Sequence, residues 1–121
     1  MKKILIAEDS STMRSLLMAT IESLGGYQVV EASSGFEALR LLPREPVDLI
    51  ITDINMPDIN GLELVGFVRG SEIYRHLPLF IISTEGSERD REKGLALGAN
   101  EYLVKPFDPA HLQELILQYT S

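Results

Sequence analysis

Residues 47–64 read VDLIITDINMPDINGLEL. The stretch Val47-Asp48-Leu49-Ile50-Ile51-Thr52 is apolar enough to be a buried strand. It ends in a carboxylate, Asp53, and then breaks at Met56-Pro57 and Asn60-Gly61, a loop rich in turn residues. A strand built for the interior that delivers a charge to its last position is presenting that charge to something. The fold follows from asking which other segments behave the same way.

Strand candidates of this kind recur along the chain: Lys3–Ala7, Gln28–Ala32, Val47–Thr52, Leu79–Ser83 and Glu101–Val104. Three contain nearly unbroken apolar runs, ILIA, LIIT and LFII, as expected of strands covered on both faces. Amphipathic stretches separate them. Residues 11–24 run up to Gly25-Gly26, residues 35–42 stop before Pro43, and residues 61–69 stop at Gly70. In residues 87–97, Ser87 and Asp90 are placed as a capping box, and Gly98 closes the helix. The last helix takes Asp108 as N-cap and Pro109 at its first position, and runs to about Tyr119. In the first helix, Met13, Leu16, Leu17 and Ile21 share helical spacing and are expected in the core.

Five strand–helix alternations predict an α/β fold: a doubly wound, five-stranded parallel sheet with five helices, flavodoxin-like, in the order 2-1-3-4-5. The length of 121 residues fits one domain over 1–121. No repeat, low-complexity tract or linker interrupts it. The apolar start after Lys2-Lys3 is halted by Glu8-Asp9, too early for the apolar segment of a signal peptide. No run has the ~18 apolar residues of a membrane span. A cytoplasmic protein without a membrane partner is expected. The net charge of −7 and the lack of a basic stripe argue against nucleic acid as a partner. Without cysteine there is no disulfide, thiolate metal site or cysteine nucleophile. His76 and His111 stand apart and are read as surface residues.

In this sheet order, ligands bind beyond the carboxyl ends of the strands. Those ends carry Glu8-Asp9 after strand 1, Asp53 after strand 3, Ser83-Thr84 at strand 4 and Lys105 after strand 5. Three carboxylates on one edge repel unless some are protonated or a cation sits among them. Hard oxygen ligands of this kind suit Mg²⁺. A carboxylate beside Mg²⁺ and a lysine can act as nucleophile toward a phosphoryl group, with Lys105 neutralising charge on the transferring oxygens. Taken singly, each residue has a plainer role: Asp53 in a turn, Glu8-Asp9 at a helix start, Lys105 on the surface, Ser83 as a satisfied hydroxyl. Their coincidence at four strand ends favours a site.

Glu8-Asp9, Asp53 in TDINMPDINGLEL, Ser83 and YLVKPF at 102–107 together resemble the receiver domain of two-component response regulators. The resemblance covers essentially the whole chain. DSSTMR at 9–14, NMPDINGLEL at 55–64 and KPF at 105–107 are most similar to the single-domain chemotaxis members. The resemblance implies that Asp53 is the phosphoacceptor and that Glu8, Asp9, Asp53 and the backbone carbonyl of Asn55 hold Mg²⁺. It implies Ser83 as the switch hydroxyl, Tyr102 as the coupled aromatic, Lys105 on the phosphoryl group and a cis Lys105–Pro106 bond. Asn55 and Glu85, each two residues past a site residue, would tune the lifetime of the phosphorylated state.

The implied partners are a histidine kinase, a flagellar motor switch protein and a phosphatase, with a monomer expected before phosphorylation. The alternatives within the class are a phosphorelay intermediate and a receiver domain cut from a larger regulator. A flavin mononucleotide carrier is disfavoured because Glu8-Asp9 would repel its phosphate. A phosphatase acting on general monoesters would need an extra acid–base aspartate near the nucleophile and a cap insertion, and the loops here are too short for a cap.

Overall fold

The computed structural model describes residues 1–84 and 86–121. Strands β1 (Lys2–Ala7), β2 (Tyr27–Ala32), β3 (Leu49–Thr52), β4 (Leu79–Ser83) and β5 (Glu101–Val104) alternate with helices α1 (Ser11–Glu22), α2 (Gly35–Leu41), α3 (Gly61–Gly70), α4 (Glu88–Leu97) and α5 (Pro109–Thr120). All pairings are parallel, and the order is β2-β1-β3-β4-β5, as the alternation predicts.

The apolar strands are covered on both faces. Leu5, Ala7, Ile50, Leu79 and Ile81 point to one side, where Ala38 and Leu42 join Leu64, Val65 and Val68 of α3. Ile4, Ile6, Leu49, Ile51, Phe80 and Ile82 point to the other, against Leu17 and Ile21 of α1 and Leu112, Leu115 and Ile116 of α5. Strand pleating sends successive side chains to opposite faces, so each continuous run feeds two cores. Each fully buried Ile or Leu contributes roughly 1.5–3 kcal/mol of transfer free energy.

Two expectations about segments change. Strand β3 begins at Leu49 rather than Val47. Asp48 ends the ladder instead: its carboxylate accepts from Lys3 N at 2.8 Å, while its own N–H donates to the Lys3 carbonyl at 2.8 Å. In α1, Leu17 and Ile21 are buried and Met13 is partly buried, but Leu16 lies 48% exposed. The helix turns Met18 toward the core in its place.

The helix starts follow side-chain chemistry. Ser10, Ser34 and Ser87 cap α1, α2 and α4 through their hydroxyl oxygens. At α4 only half the expected box forms, because the Ser87 hydroxyl donates to the Asp90 carboxylate at 2.6 Å. The reciprocal box is at α3, where Asn60 and Glu63 satisfy each other's backbone N–H groups. Asp108 and Pro109 start α5 as read from the sequence. Tyr119 packs edge-on against Phe80 with ring centroids 5.2 Å apart, and its hydroxyl donates to Glu101 at 2.7 Å. Among the described residues no helix is long and apolar enough to cross a membrane.

Candidate functional site

Register brings the acids together. Ala7 of β1 pairs with Thr52 of β3, so the next residues, Glu8 and Asp53, leave the sheet side by side. Each keeps one ladder bond, Glu8 N to the Ala32 carbonyl and Asp53 N to the Ala7 carbonyl. Their carboxylates are therefore held on backbone that cannot swing away. One carboxylate oxygen from each of Glu8, Asp9 and Asp53 lies within 4.8 Å of the others. Glu8 is 1% exposed and Asp53 7% exposed, whereas Asp9 faces solvent.

Lys105 enters from the far side of the edge. Its N–H donates to the Ser83 carbonyl at 2.8 Å, and its peptide bond to Pro106 is cis, as the resemblance implies. Its ammonium donates to Glu8 Oε1 at 2.6 Å and to Asp53 Oδ2 at 3.2 Å. Burial pushes Glu8 above the usual carboxylate range. Lys105 and the Ser10 N–H oppose that rise, and the Asp53 charge adds to it. Burial acts to lower Lys105, but Glu8 and Asp53 outweigh it and the ammonium is held above its ordinary value. Three carboxylates thus outnumber the one ammonium, which pairs with Glu8 and Asp53, and the residual charge is negative.

That donor set fits a hard divalent cation. The oxygens converge, one carboxylate is open to solvent, and the charge excess calls for a cation. Asp53 is oriented further by its own neighbour, since Ile54 N donates to Asp53 Oδ1 at 2.8 Å. Gly61 N donates to the Ile54 carbonyl at 2.8 Å, and a Cβ on Gly61 would lie 2.1 Å from the Asp53 carbonyl oxygen. Helix α3 therefore begins hard against the residue that carries the central acid, at a distance only glycine allows.

Glu8, Asp9 and Asp53 converge, and Lys105 reaches Glu8 and Asp53 directly. Ser83 is fully buried at the end of β4. Tyr102 is 8% exposed, with its ring beside Gly94 of α4, where an added Cβ would come within 3.1 Å of Tyr102 Cδ2. Asn55 sits in the exposed loop after Asp53. Glu85 lies outside the described residues.

Sequence reading missed two residues. Arg14 in α1 donates to the carbonyls of Glu8 at 2.8 Å and Asp9 at 3.4 Å, holding the loop that presents both acids. Asp58 reaches across to α2. It accepts from Gly35 N at 3.0 Å, Phe36 N at 2.9 Å and Ile59 N at 2.6 Å. Desolvation is the largest single influence and raises its pKa, but the three N–H groups and the Ser34 hydroxyl together outweigh it and lower the pKa to about 2. An unfolded Asp titrates near 3.8, so this contribution to stability is whole above about pH 4 and is lost as pH falls toward 2. In sequence, Arg14 is one more charge on a helix and Asp58 one more turn residue. The Asp58 contacts with α2 span more than twenty residues, and those of Arg14, though five and six residues away, run to backbone carbonyls, which no side-chain spacing signals.

The profile of the response regulator receiver domain matches residues 4–117. A chemotaxis protein CheY homolog of Campylobacter jejuni is 45% identical over 113 residues, covering 93% of this chain and 87% of the relative. The crystal structure of CheY4 of Vibrio cholerae superposes with a TM-score of 0.89 at 36% identity, covering 98% of both chains. The receiver domain of the sensor histidine kinase PA1611 from Pseudomonas aeruginosa, described with a magnesium ion coordinated in its active-site cleft, gives 0.88 at 31% identity and covers 98% of this chain and 97% of its own.

Proposed function

This chain belongs to the response regulator receiver domain family, a signalling switch of two-component systems, and from that premise we propose that Asp53 is its phosphoacceptor. The observation that carries this reading is the Lys105 ammonium bridging Glu8 and Asp53 at the strand edge. An Asp53 carboxylate oxygen attacks the phosphorus of a histidine-kinase phosphohistidine or of a small acyl phosphate. The new O–P bond forms as the P–N or P–O bond to the donor breaks, and imidazole or acetate leaves. Lys105 stays beside Asp53 and neutralises charge on the transferring oxygens. Glu8, Asp9, Asp53 and the Asn55 carbonyl would hold Mg²⁺, which supplies charge neutralisation on the phosphoryl group when bound. The test is chemical: after acetyl phosphate treatment, intact mass rises by one phosphoryl group in Mg²⁺ and stays unchanged in EDTA.

Asp9 is the solvent-facing acid of the three, so it separates metal binding from folding. Asp9→Ala is expected to weaken Mg²⁺ binding about tenfold or more, on the scale of altered metal shells. The metal-free variant should melt no lower than the parent, because like charge has been removed from a crowded edge. A calorimetric Mg²⁺ titration and a thermal melt check both halves.

In this reading residues 1–121 act as one receiver domain in the cytoplasm, monomeric until phosphorylated, with no nucleic-acid or membrane partner. The chemotaxis naming of the relatives favours a flagellar motor switch protein as output and a phosphatase to reset it. Ser83 and Tyr102 relay the phosphoryl state: the hydroxyl is drawn to the new dianion, and the ring beside Gly94 fills the space it vacates. Amide shifts on forming the BeF₃⁻ adduct are expected to extend through residues 84–119. Shifts confined to the loops around Asp53 would contradict the relay. Asn55 and Glu85 orient the water that removes the phosphoryl group, giving a short-lived state. Asn55→Leu and Glu85→Leu should each slow dephosphorylation. Loss at the parent rate in both would remove this role.

A further inference from the structure

The loop between Asp53 and α3 is fastened at two points with different chemistry. At its start, Ile54 donates to Asp53 and accepts from Gly61. At its far end, Asp58 takes the first-turn N–H groups of α2 from Gly35 and Phe36, together with the N–H of Ile59. The Ser34 hydroxyl completes the set. The surfaces also meet closely, because a Cβ on Gly35 would lie 2.6 Å from the Ile59 carbonyl oxygen. Asn55, Met56 and Pro57 span the interval, with Met56 packed against the core.

We propose that Asp58 is a positioning residue for the metal site: by clamping the loop onto α2, it sets where the backbone carbonyl of Asn55 stands relative to Glu8, Asp9 and Asp53. The proposal rests on the reading of Asn55 as a metal ligand and adds the residue that holds it in place. Mg²⁺ demands near-ideal octahedral geometry, so a loop carbonyl contributes only where the loop is held. Two carboxylate oxygens can serve three N–H groups and a hydroxyl. One amide oxygen serves fewer, and a methyl group none. An ordinary cap would stabilise α2 alone, whereas Asp58 joins α2 to a segment that begins at the acceptor.

Direct Mg²⁺ titration by calorimetry, with no phosphodonor present, tests this. Asp58→Ala is expected to weaken Mg²⁺ binding about tenfold, the usual effect of removing an outer partner from a metal site. Asp58→Asn should fall between Asp58→Ala and the parent. Ile116→Val, a core change on the α5 side, lowers stability without touching the loop and should bind Mg²⁺ as the parent does. Parent-like binding by Asp58→Ala overturns the proposal, as does equal weakening by Ile116→Val. A parent that takes up no Mg²⁺ overturns the metal site itself, which is a distinguishable result.

Discussion

Asp53→Asn treated with acetyl phosphate and Mg²⁺ is expected to keep its unmodified mass under conditions that fully label the parent. The substitution changes little else. An amide oxygen can still accept from Ile54 N, as Asp53 Oδ1 does at 2.8 Å. The backbone remains tied to Ala7 through the Asp53 N–H. What disappears is the carboxylate charge, whose Oδ2 lies 3.2 Å from the Lys105 ammonium, and with it the nucleophile that can attack phosphorus. Removing one of three crowded carboxylates also relieves repulsion, so the variant should fold at least as well as the parent and failure to label cannot be blamed on unfolding. Labelling of Asp53→Asn at the parent rate would move the acceptor to another group and defeat the assignment.

Gly61→Ala should be among the most damaging single methyl additions in the molecule. The new Cβ would sit 2.1 Å from the Asp53 carbonyl oxygen and 2.9 Å from Ile54 Cα, both backbone atoms. Neither can rotate aside, so the loop or the start of α3 must shift. Overpacking of this kind costs about 3 kcal/mol, a Tm drop of roughly 10 °C in a domain of this size. Because the clash is with the acceptor residue itself, phosphorylation should slow as well. Gly66→Ala in the same helix is the contrast. Gly66 is exposed, and its Cβ would meet nothing within 4 Å. Removing a helical glycine there should stabilise by up to about 1 kcal/mol. Equal melting of the two variants would show that the close approach at Gly61 does not constrain the site.

The strand runs ILIA, LIIT and LFII were legible because a strand buried on both faces has no alternative to continuous apolar sequence. Their number and spacing led to the sheet order, and the order led to Glu8, Asp9, Asp53 and Lys105, each one residue past a strand or close to it. The structure departs from sequence reading at an element end and at single side chains. Val47 is apolar and reads as part of β3, but Asp48 diverts the Lys3 N–H to its side chain and closes the ladder before the strand begins. Leu16 has core spacing, yet α1 is rotated so that Leu16 faces solvent and Met18, partly buried, packs against the core. Ser87 and Asp90 have capping-box spacing, yet only the Asp90 N–H to Ser87 half forms, and the Ser87 hydroxyl donates to the Asp90 carboxylate.

By itself, the sequence determined the alternation, the class of sheet and the identity of the charged residues at its edge, because periodicity and strand-end position are local properties of the chain. Only the tertiary structure decided that Lys105 bridges Glu8 and Asp53, that Gly61 must be glycine because Asp53 lies against it, and that Arg14 and Asp58 hold the two acid-bearing loops. Each depends on how an element is oriented against its neighbours. Such contacts depend on strand register and helix rotation, and those are settled by packing of the whole core rather than by any single stretch of residues.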